Sequence, residues 1–445
     1  MFRRRAARSL VALALVFGSV IAGCGSGGTS PPTSGSPSGS GSPAGSGNPS
    51  GSGSPSGTGN PSGSGNPSTQ TGEPMFDLPS AVSLGGAVLS SPRVQPIFFP
   101  GFPYAADIDR FVTALSNSSY WTAIASEYGV GAISPLAGFV STAMLPASAA
   151  ISDVQTALGE ALQAMGAANP PLPVRSDTIY ALFFDPQTTL SFMGTTLCGA
   201  GQPSGFHDEW LFGNKPLPVV VIPTCATSDA DTNLRGVEAL TPSFSHELLE
   251  AATDPYVRSA PAFVTIDSRH SLWAEALNGG ELADLCENEV PSLVVPGDIG
   301  YPVQRTWSNA GASAGTGPCV PVPAGEIYFN GQANLPDQAQ LDIGTGTAVT
   351  VPTLNAAVGQ AVSAQVSLRG VHNATASVGV LAIEIDNAGA VPSTHAKPVA
   401  AMLGQNVAVP VSQTATGKSG VTPLLIVAGS NSALHFWVGG INRTP

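Results

Sequence analysis

The chain is long enough, at 445 residues, for two or more folded domains, but 52 Gly and 40 Pro mean that part of it cannot build a core. Only 10% of residues are charged and the formal net charge is −13. A strongly acidic chain repels phosphate backbones, which argues against a nucleic-acid partner.

The first 23 residues read as an export signal. Phe2-Arg3-Arg4-Arg5-Ala6-Ala7-Arg8 forms a basic start, and Leu10–Ile21 is an apolar run too short for a spanning helix. The run ends in Ile21-Ala22-Gly23-Cys24, which matches a bacterial lipobox: small residues fit the peptidase, and the Cys24 thiol takes the lipid. Met1–Gly23 is therefore expected to be a lipoprotein signal peptide. Cys24 would be the acylated mature N-terminus, holding the protein to a lipid bilayer of the bacterial cell envelope. Losing Arg3, Arg4, Arg5 and Arg8 leaves 12 basic residues against 29 acidic ones.

From Gly25 to Thr71 the chain is Gly, Ser, Pro, Thr and Asn almost without interruption, as in Gly45-Ser46-Gly47-Asn48-Pro49-Ser50. No apolar side chains offset the backbone entropy of ordering, so residues 24–74 are expected to be a disordered tether. A coil of that length spans roughly 40 Å root-mean-square.

A first folded domain is expected over 75–323. Val94–Phe99, Thr178–Phe184 and Leu217–Ile222 read as buried strands, with Pro96 marking an irregular or edge position. Ile108–Leu115, Tyr120–Tyr128 and Ile151–Met165 carry helical spacing. The order of elements predicts an α/β or α+β sandwich around a mixed sheet, with a helix that bears the site. After Cys24, four cysteines remain: Cys198, Cys225, Cys286 and Cys319. An even set in an exported protein predicts two disulfides, and pairing 198 with 225 and 286 with 319 closes the most local loops. A metal–thiolate cluster competes, but no Cys-x-x-Cys spacing supports it.

The chemistry concentrates in Ser245-His246-Glu247-Leu248-Leu249-Glu250-Ala251-Ala252-Thr253-Asp254-Pro255. Thr241-Pro242 offers an N-cap and a proline at the first helical position, and Pro255 ends the helix. His246 and Glu250, four residues apart, lie about 40° apart around the helix and one turn apart along it, so both can reach one ion. Glu247 occupies the general-base position of the His-Glu-x-x-His zinc motif, although the second ligand here is Glu. A solvated acidic helix face has the same pattern. A second cluster, Gly279-Gly280-Glu281-Leu282-Ala283-Asp284-Leu285-Cys286-Glu287, adds carboxylates that would repel one another unless a cation sits among them.

These motifs, with Trp273 and Gln304-Arg305-Thr306-Trp307-Ser308-Asn309, resemble bacterial and fungal secreted proteins related to the plant exordium, or phosphate-induced protein 1, family. Leu197-Cys198-Gly199, then Gly205-Phe206-His207, Val219–Pro223 and Cys225, resemble that family's Cys-Gly-Tyr-His segment, though Ala200–Gly205 is inserted here. The resemblance spans about Gly85–Pro323 and implies a zincin-like domain with a metal site. The expected ligands are His246, Glu250 and Asp284, with Glu281 or His207 as the substitute third ligand. The ion is expected to be Zn2+, or another divalent cation, and Glu247 to draw a proton from a water attacking a carbonyl. Asp254 is expected to orient a ligand or cap the turn after the helix. His270 reads as a surface-loop residue, and Trp273 and Trp307 as packing.

Residues 324–445 change to short alternating runs between Gly, Asn and Pro: Ala348–Val351, Ala361–Leu368, Ser377–Ile385, Val407–Val411, Leu424–Val427 and Leu434–Val438. They predict an antiparallel β-sandwich domain. The functional expectation is a surface-tethered, metal-dependent hydrolase acting on a protein or peptide. The alternative is a non-catalytic, metal-stabilised binding or adhesion module.

Overall fold

The apolar runs of the first half become the parallel centre of a sheet: β1 (Arg93–Phe98), β2 (Thr178–Phe183) and β4 (Lys215–Ile222), with β3 (Phe206–Phe212) antiparallel on the far side of β4. The computed structural model describes residues 75–192, 195–197, 204–224, 234–277, 279–343, 346–371, 374–385, 397–413 and 419–445. The expected signal peptide, Cys24, the tether, Cys198 and Cys225 lie outside them. Among the described residues no helix is long and apolar enough to cross a membrane.

Proline explains the break in pairing on the outer side of β1. Two short strands, Ser134–Pro135 and Phe139–Val140, pair with β1 at Arg93–Val94 and at Ile97–Phe98, leaving Gln95–Pro96 between them. Pro96 has no N–H to offer a partner there. The Gln95 side chain fills the gap by donating to the Ala137 carbonyl at 2.8 Å.

Strand alternation sends side chains to two opposite cores. Val94, Phe98, Ile179, Ala181, Phe183, Val220 and Ile222 face one; Ile97, Phe99, Tyr180, Leu182, Val219 and Val221 face the other. The first face is covered by α1 (Ala105–Ser116), α2 (Ser119–Ala125) and α4 (Thr241–Thr253), and the second by α3 (Ile151–Ala167). Helix α3 buries Val154, Leu158, Leu162 and Met165 at helical spacing. Each such side chain contributes about 1.5–3 kcal/mol of burial. Helix α2 is shorter than its periodicity predicts, because a tighter turn over Ser126–Tyr128 completes it before Gly129, at φ 78°.

Strand β3 was not among the expected elements. His207, Asp208 and Glu209 interrupt its apolar pattern, and the two carboxylates find their own partners. Asp208 accepts from Trp210 Nε1 at 2.9 Å and pairs with Arg258, while Glu209 accepts the backbone N–H groups of Arg258 and Ser259.

The second half forms a sheet from β5 (Phe329–Ala333), β6 (Asp337–Asp342), β7 (Ala348–Ala357), β8 (Ser363–Gly370), β9 (Ser377–Glu384), β10 (Val399–Met402), β11 (Asn406–Ser412), β12 (Gly420–Gly429) and β13 (Leu434–Thr444). Its order is β5-β8-β11-β9-β12-β13-β7-β6, with β10 beside β9. The all-β, sandwich-like character is as expected, but the pairing is not wholly antiparallel. Strand β9 runs parallel to β11, and β7 runs parallel to β13. Sequence periodicity carries no information on strand direction, which is set by where the connections run.

The two halves are packed together. A single apolar cluster includes Phe76, Leu248, Trp273, Ile426 and Ile441, so it crosses the boundary expected near Pro323. Helix α5 (Ser271–Leu277) lies against β13, where Leu272 would come within 2.9 Å of any Cβ at Gly440. Val290 and Leu434 form a backbone bridge, and Trp437 Nε1 donates to the Asp77 carbonyl at 2.8 Å.

Candidate metal centre

Helix α4 turns Phe244, Leu248, Leu249, Ala251 and Ala252 into the core, and this orientation sends His246, Glu247 and Glu250 to the opposite side. Its start differs from expectation. Thr241 does not cap the helix; its hydroxyl donates to the Pro302 carbonyl at 2.7 Å, and Pro242 lies within the first turn. The helix ends at Thr253, before Asp254-Pro255, as the sequence predicts.

Three further segments converge on that polar side. Strand β3 supplies His207, the loop after α5 supplies Glu281, and the short helix α6 (Asp284–Glu287) supplies Asp284. His246 Nε2 lies 3.1 Å from Glu250 Oε2 and 3.6 Å from Asp284 Oδ1. His207 Nδ1 lies 3.3 Å from Glu247 Oε2 and 3.6 Å from Glu250 Oε2, while its Nε2 lies 3.5 Å from Glu281 Oε1. The expected ligand pair on α4 and all three candidates for the third ligand thus meet in one place.

Glycines make room for this convergence. A Cβ at Gly279 would fall 1.9 Å from Asp284 Oδ2, and one at Gly205 would fall 3.0 Å from Glu247 Cγ. Any larger residue at 279 would force the Asp284 side chain to shift.

Backbone and amide groups aim the ligand atoms. Glu250 Oε1 accepts from the N–H groups of Ala283 and Asp284 at 3.1 and 3.3 Å, which leaves Oε2 facing the imidazoles. Gln304 Nε2 donates to the Ala283 carbonyl at 2.8 Å, so Gln304 Oε1 is free to accept from His246 Nδ1 at 3.0 Å. A proton is thereby held on Nδ1, and Nε2 is the nitrogen that faces Glu250 and Asp284. Gln304 had no functional role in the sequence reading. An uncharged amide carries no signal of its own, and only its place in the Gln304-Arg305-Thr306-Trp307 segment drew notice.

The electrostatics are those of a site short of positive charge. Burial opposes protonation of His207, but Glu281, Glu247 and Glu250 outweigh it and raise the imidazole to about 10. His246 behaves alike: burial opposes, and Glu250, Glu247 and Asp284 push it well above its usual value. Burial, reinforced by Glu250, lifts the Asp284 carboxyl to about 8. Burial also carries Glu281 well above the carboxylate range, against the pull of His207. Burial works against ionised Glu250, yet His246 and His207 leave its pKa lowered. Among the described residues, no Lys or Arg forms an ion pair with Glu247, Glu250, Glu281 or Asp284.

A divalent cation fits these residues. Two imidazole nitrogens and several carboxylate oxygens are the donor types zinc accepts. His207 Nε2 is buried and has no hydrogen-bond partner, which is costly unless something binds there. His246, Glu250 and Asp284 offer ligand atoms within 4.8 Å of one another, and so do His207, Glu250 and Glu281.

Other expected residues have structural partners. Asp254 Oδ1 accepts from the Ala262 N–H at 2.6 Å, closing the turn after α4, and Asp254 belongs to neither ligand set. Trp273 and Trp307 are buried and pack edge to face, with centroids 6.0 Å apart. His270 is not a surface residue: it is buried, 2.8 Å from Asp267 and 3.3 Å from Asp77, because the segment around Ser80 folds back over it. Cys286 and Cys319 are joined as expected, tying α6 to the strand at Cys319–Val320.

No family model matches the sequence, and no curated protein matches it. Among solved structures, the S-layer protein SbsC domains 4 and 5 show 15% identity over 32% of this chain and 91% of that one, with a TM-score of 0.13. A likeness that slight carries no argument about fold or function.

Proposed function

We propose that this protein is a zinc-dependent hydrolase acting on peptide bonds, held at the bacterial cell envelope by a lipid on Cys24. One observation carries the reading. His207, His246, Glu247, Glu250, Glu281 and Asp284, from strand β3, helix α4 and the 279–287 segment, turn their ligand atoms into one cluster with which no Lys or Arg among the described residues forms an ion pair. A domain of zincin-like type, related to the exordium family, accords with a helix-borne His-Glu-x-x-Glu lying beside a mixed sheet.

In this reading His246, Glu250 and Asp284 hold the ion, and Gln304 keeps His246 in the tautomer that can bind. A bound zinc ion supplies Lewis acidity, which polarises a carbonyl and makes a neighbouring water more acidic. Glu247, one residue from His246 and on the same polar side, accepts the proton of the attacking water. Structural metal sites are closed, whereas catalytic ones leave an approach open. The Glu281 and Asp284 side chains are 20% and 23% exposed while Glu250 is 3% exposed, so the approach lies on the Glu281–Asp284 side. This favours catalysis over a purely metal-stabilised binding module.

The test is Glu247→Gln, because glutamine keeps an acceptor for His207 Nδ1 but cannot take a proton. Peptide hydrolysis by the zinc-loaded protein should fall at least a hundredfold, with metal content and melting temperature unchanged. Unaltered hydrolysis in the variant would remove Glu247 from the mechanism. Absence of hydrolysis from the zinc-loaded parent across a peptide library would leave the binding-module reading.

A further inference from the structure

Around Glu250 the ligand atoms divide into two sets. His246, Glu250 and Asp284 form one, His207, Glu250 and Glu281 form the other, and the two imidazoles fall on different sides. We propose that the centre holds two divalent cations, one in each set, with the Glu250 carboxylate shared between them. This deepens the hydrolase reading and rests on it for the first ion; the second site is additional to it.

The two imidazoles are prepared in the same way. His246 has Nδ1 engaged by Gln304 Oε1 at 3.0 Å and directs Nε2 towards Asp284, 3.6 Å away. His207 has Nδ1 engaged by Glu247 Oε2 at 3.3 Å and directs Nε2 towards Glu281, 3.5 Å away. Holding one ring nitrogen with an outer oxygen while the other faces a carboxylate is how metal-binding histidines are fixed. The His207 side chain is only 6% exposed, and its Nε2 has no hydrogen-bond partner. Unlike His270, whose Nε2 is also without a hydrogen bond, His207 has two carboxylates whose ligand atoms lie within 4.8 Å of its own and of each other, so a cation can supply the missing partner.

Glu250 is built to be shared. Its Oε1 is committed to the backbone N–H groups of Ala283 and Asp284. Its Oε2 faces His246 Nε2 at 3.1 Å and His207 Nδ1 at 3.6 Å, at the meeting point of both sets. Charge points the same way. Glu247, Glu250, Glu281 and Asp284 carry four negative charges when ionised, and two divalent cations balance them. One cation would leave two negative charges in a mostly buried cluster for protons to meet. Two ions so placed would divide the work of peptide hydrolysis, one polarising the carbonyl and the other acidifying the attacking water.

The experiment is metal stoichiometry, which needs no substrate. The purified full chain, stripped by chelator, is titrated calorimetrically with Zn2+ and, after dialysis, its zinc is counted by mass spectrometry. Two equivalents per chain are expected. Glu281→Gln and Asp284→Asn should each bind one, and Glu250→Gln should bind neither tightly. One equivalent in the parent protein overturns the second site and leaves the hydrolase reading intact; no stoichiometric zinc overturns both. Two equivalents retained by a Glu281→Gln/Asp284→Asn double variant would show that the ions lie elsewhere, which also overturns the proposal. Melting curves identify any variant that fails to fold, and the count on the parent protein decides the matter without it.

Discussion

Carboxylates are buried in two parts of this molecule, and their surroundings differ in kind. In the second half, Glu384 meets Arg443 through two hydrogen bonds, at 3.1 and 2.6 Å, and also accepts from the Thr422 hydroxyl at 2.9 Å. Arg305 holds Glu326 in the same manner, at 3.1 and 3.3 Å, and donates to the Cys319 and Pro291 carbonyls. Each of these acids has a fixed guanidinium of its own. In the candidate metal centre four carboxylates face two imidazoles and, among the described residues, no guanidinium or ammonium. A finished ion pair has only a structural role left to it. A cluster that the chain leaves short of positive charge requires protons or metal ions to complete it, and that requirement is the basis of the functional reading.

The sharpest way to break this contrast is to make an ion pair unfinished. Arg443→Met strands the Glu384 carboxylate in the interior and should cost about 3–5 kcal/mol, read from urea denaturation. The loss should be the same with and without chelator, because the pair has no connection to the metal. A loss that vanished on adding zinc would join two regions held here to be independent.

Removing metal should come next, at about 4 kcal/mol for each ion when zinc is present at a thousand times its Kd. The effect should grow with pH. Without metal, burial and Glu250 raise Asp284 from 3.8 to about 8, so the folded form binds its proton more tightly than the unfolded chain does. That contribution to stability is complete below 3.8 and is lost as pH rises towards 8. The chelated protein should therefore melt progressively lower between those values, and the zinc-loaded protein should not. Parallel melting curves for the two forms across that range would contradict the charge assignment.

Gln304→Met keeps the side-chain length but gives up the acceptor for His246 Nδ1. Zinc affinity should weaken about 10–100-fold, as is typical when an outer ligand partner is lost. Calorimetry would show it, and an unchanged affinity would mean that packing alone orients the ring.

His270 provides an intermediate case, an imidazole between only two acids. Burial opposes its charge, but Asp267 and Asp77 raise it from 6.5 to about 9, and its hydrogen bond helps lower Asp77 to about 2. Stability from the charged imidazole is complete below 6.5 and is lost as pH rises through about 9. With Asp77 partly open to solvent, the effect should be about 1–2 kcal/mol. His270→Gln should flatten stability over that interval. A slope that persisted in the variant would assign it to other groups.

Several of these features could be read from the residues alone, for reasons that are local. Ile151–Met165 announces a helix because its apolar residues recur at the helical period, and Thr178–Phe184 a buried strand because it is apolar throughout. His246 and Glu250 share a helix face by geometry, so half of the candidate site was visible. The carboxylates of the 279–287 cluster were visible too, and the structure shows why glycine stands at 279: Asp284 occupies the space of a Cβ. What local pattern could not show is also specific. Strand β3 hid behind His207-Asp208-Glu209, and the polar Gln304 gave no reason to be chosen over any other glutamine.

Sequence by itself determined the periodic elements, the one-turn spacing of His246 and Glu250, and the scarcity of positive charge along the chain. Tertiary structure alone decided that β3 pairs antiparallel with β4, setting His207 opposite Val220 at the edge of the sheet beside α4. It also decided that Gln304 reaches His246 across 58 residues of chain and that Glu250 stands between two imidazoles. The physical reason is range. Helical and strand periods act over a few residues, whereas the meeting of four distant segments depends on sheet register and on which core each helix covers.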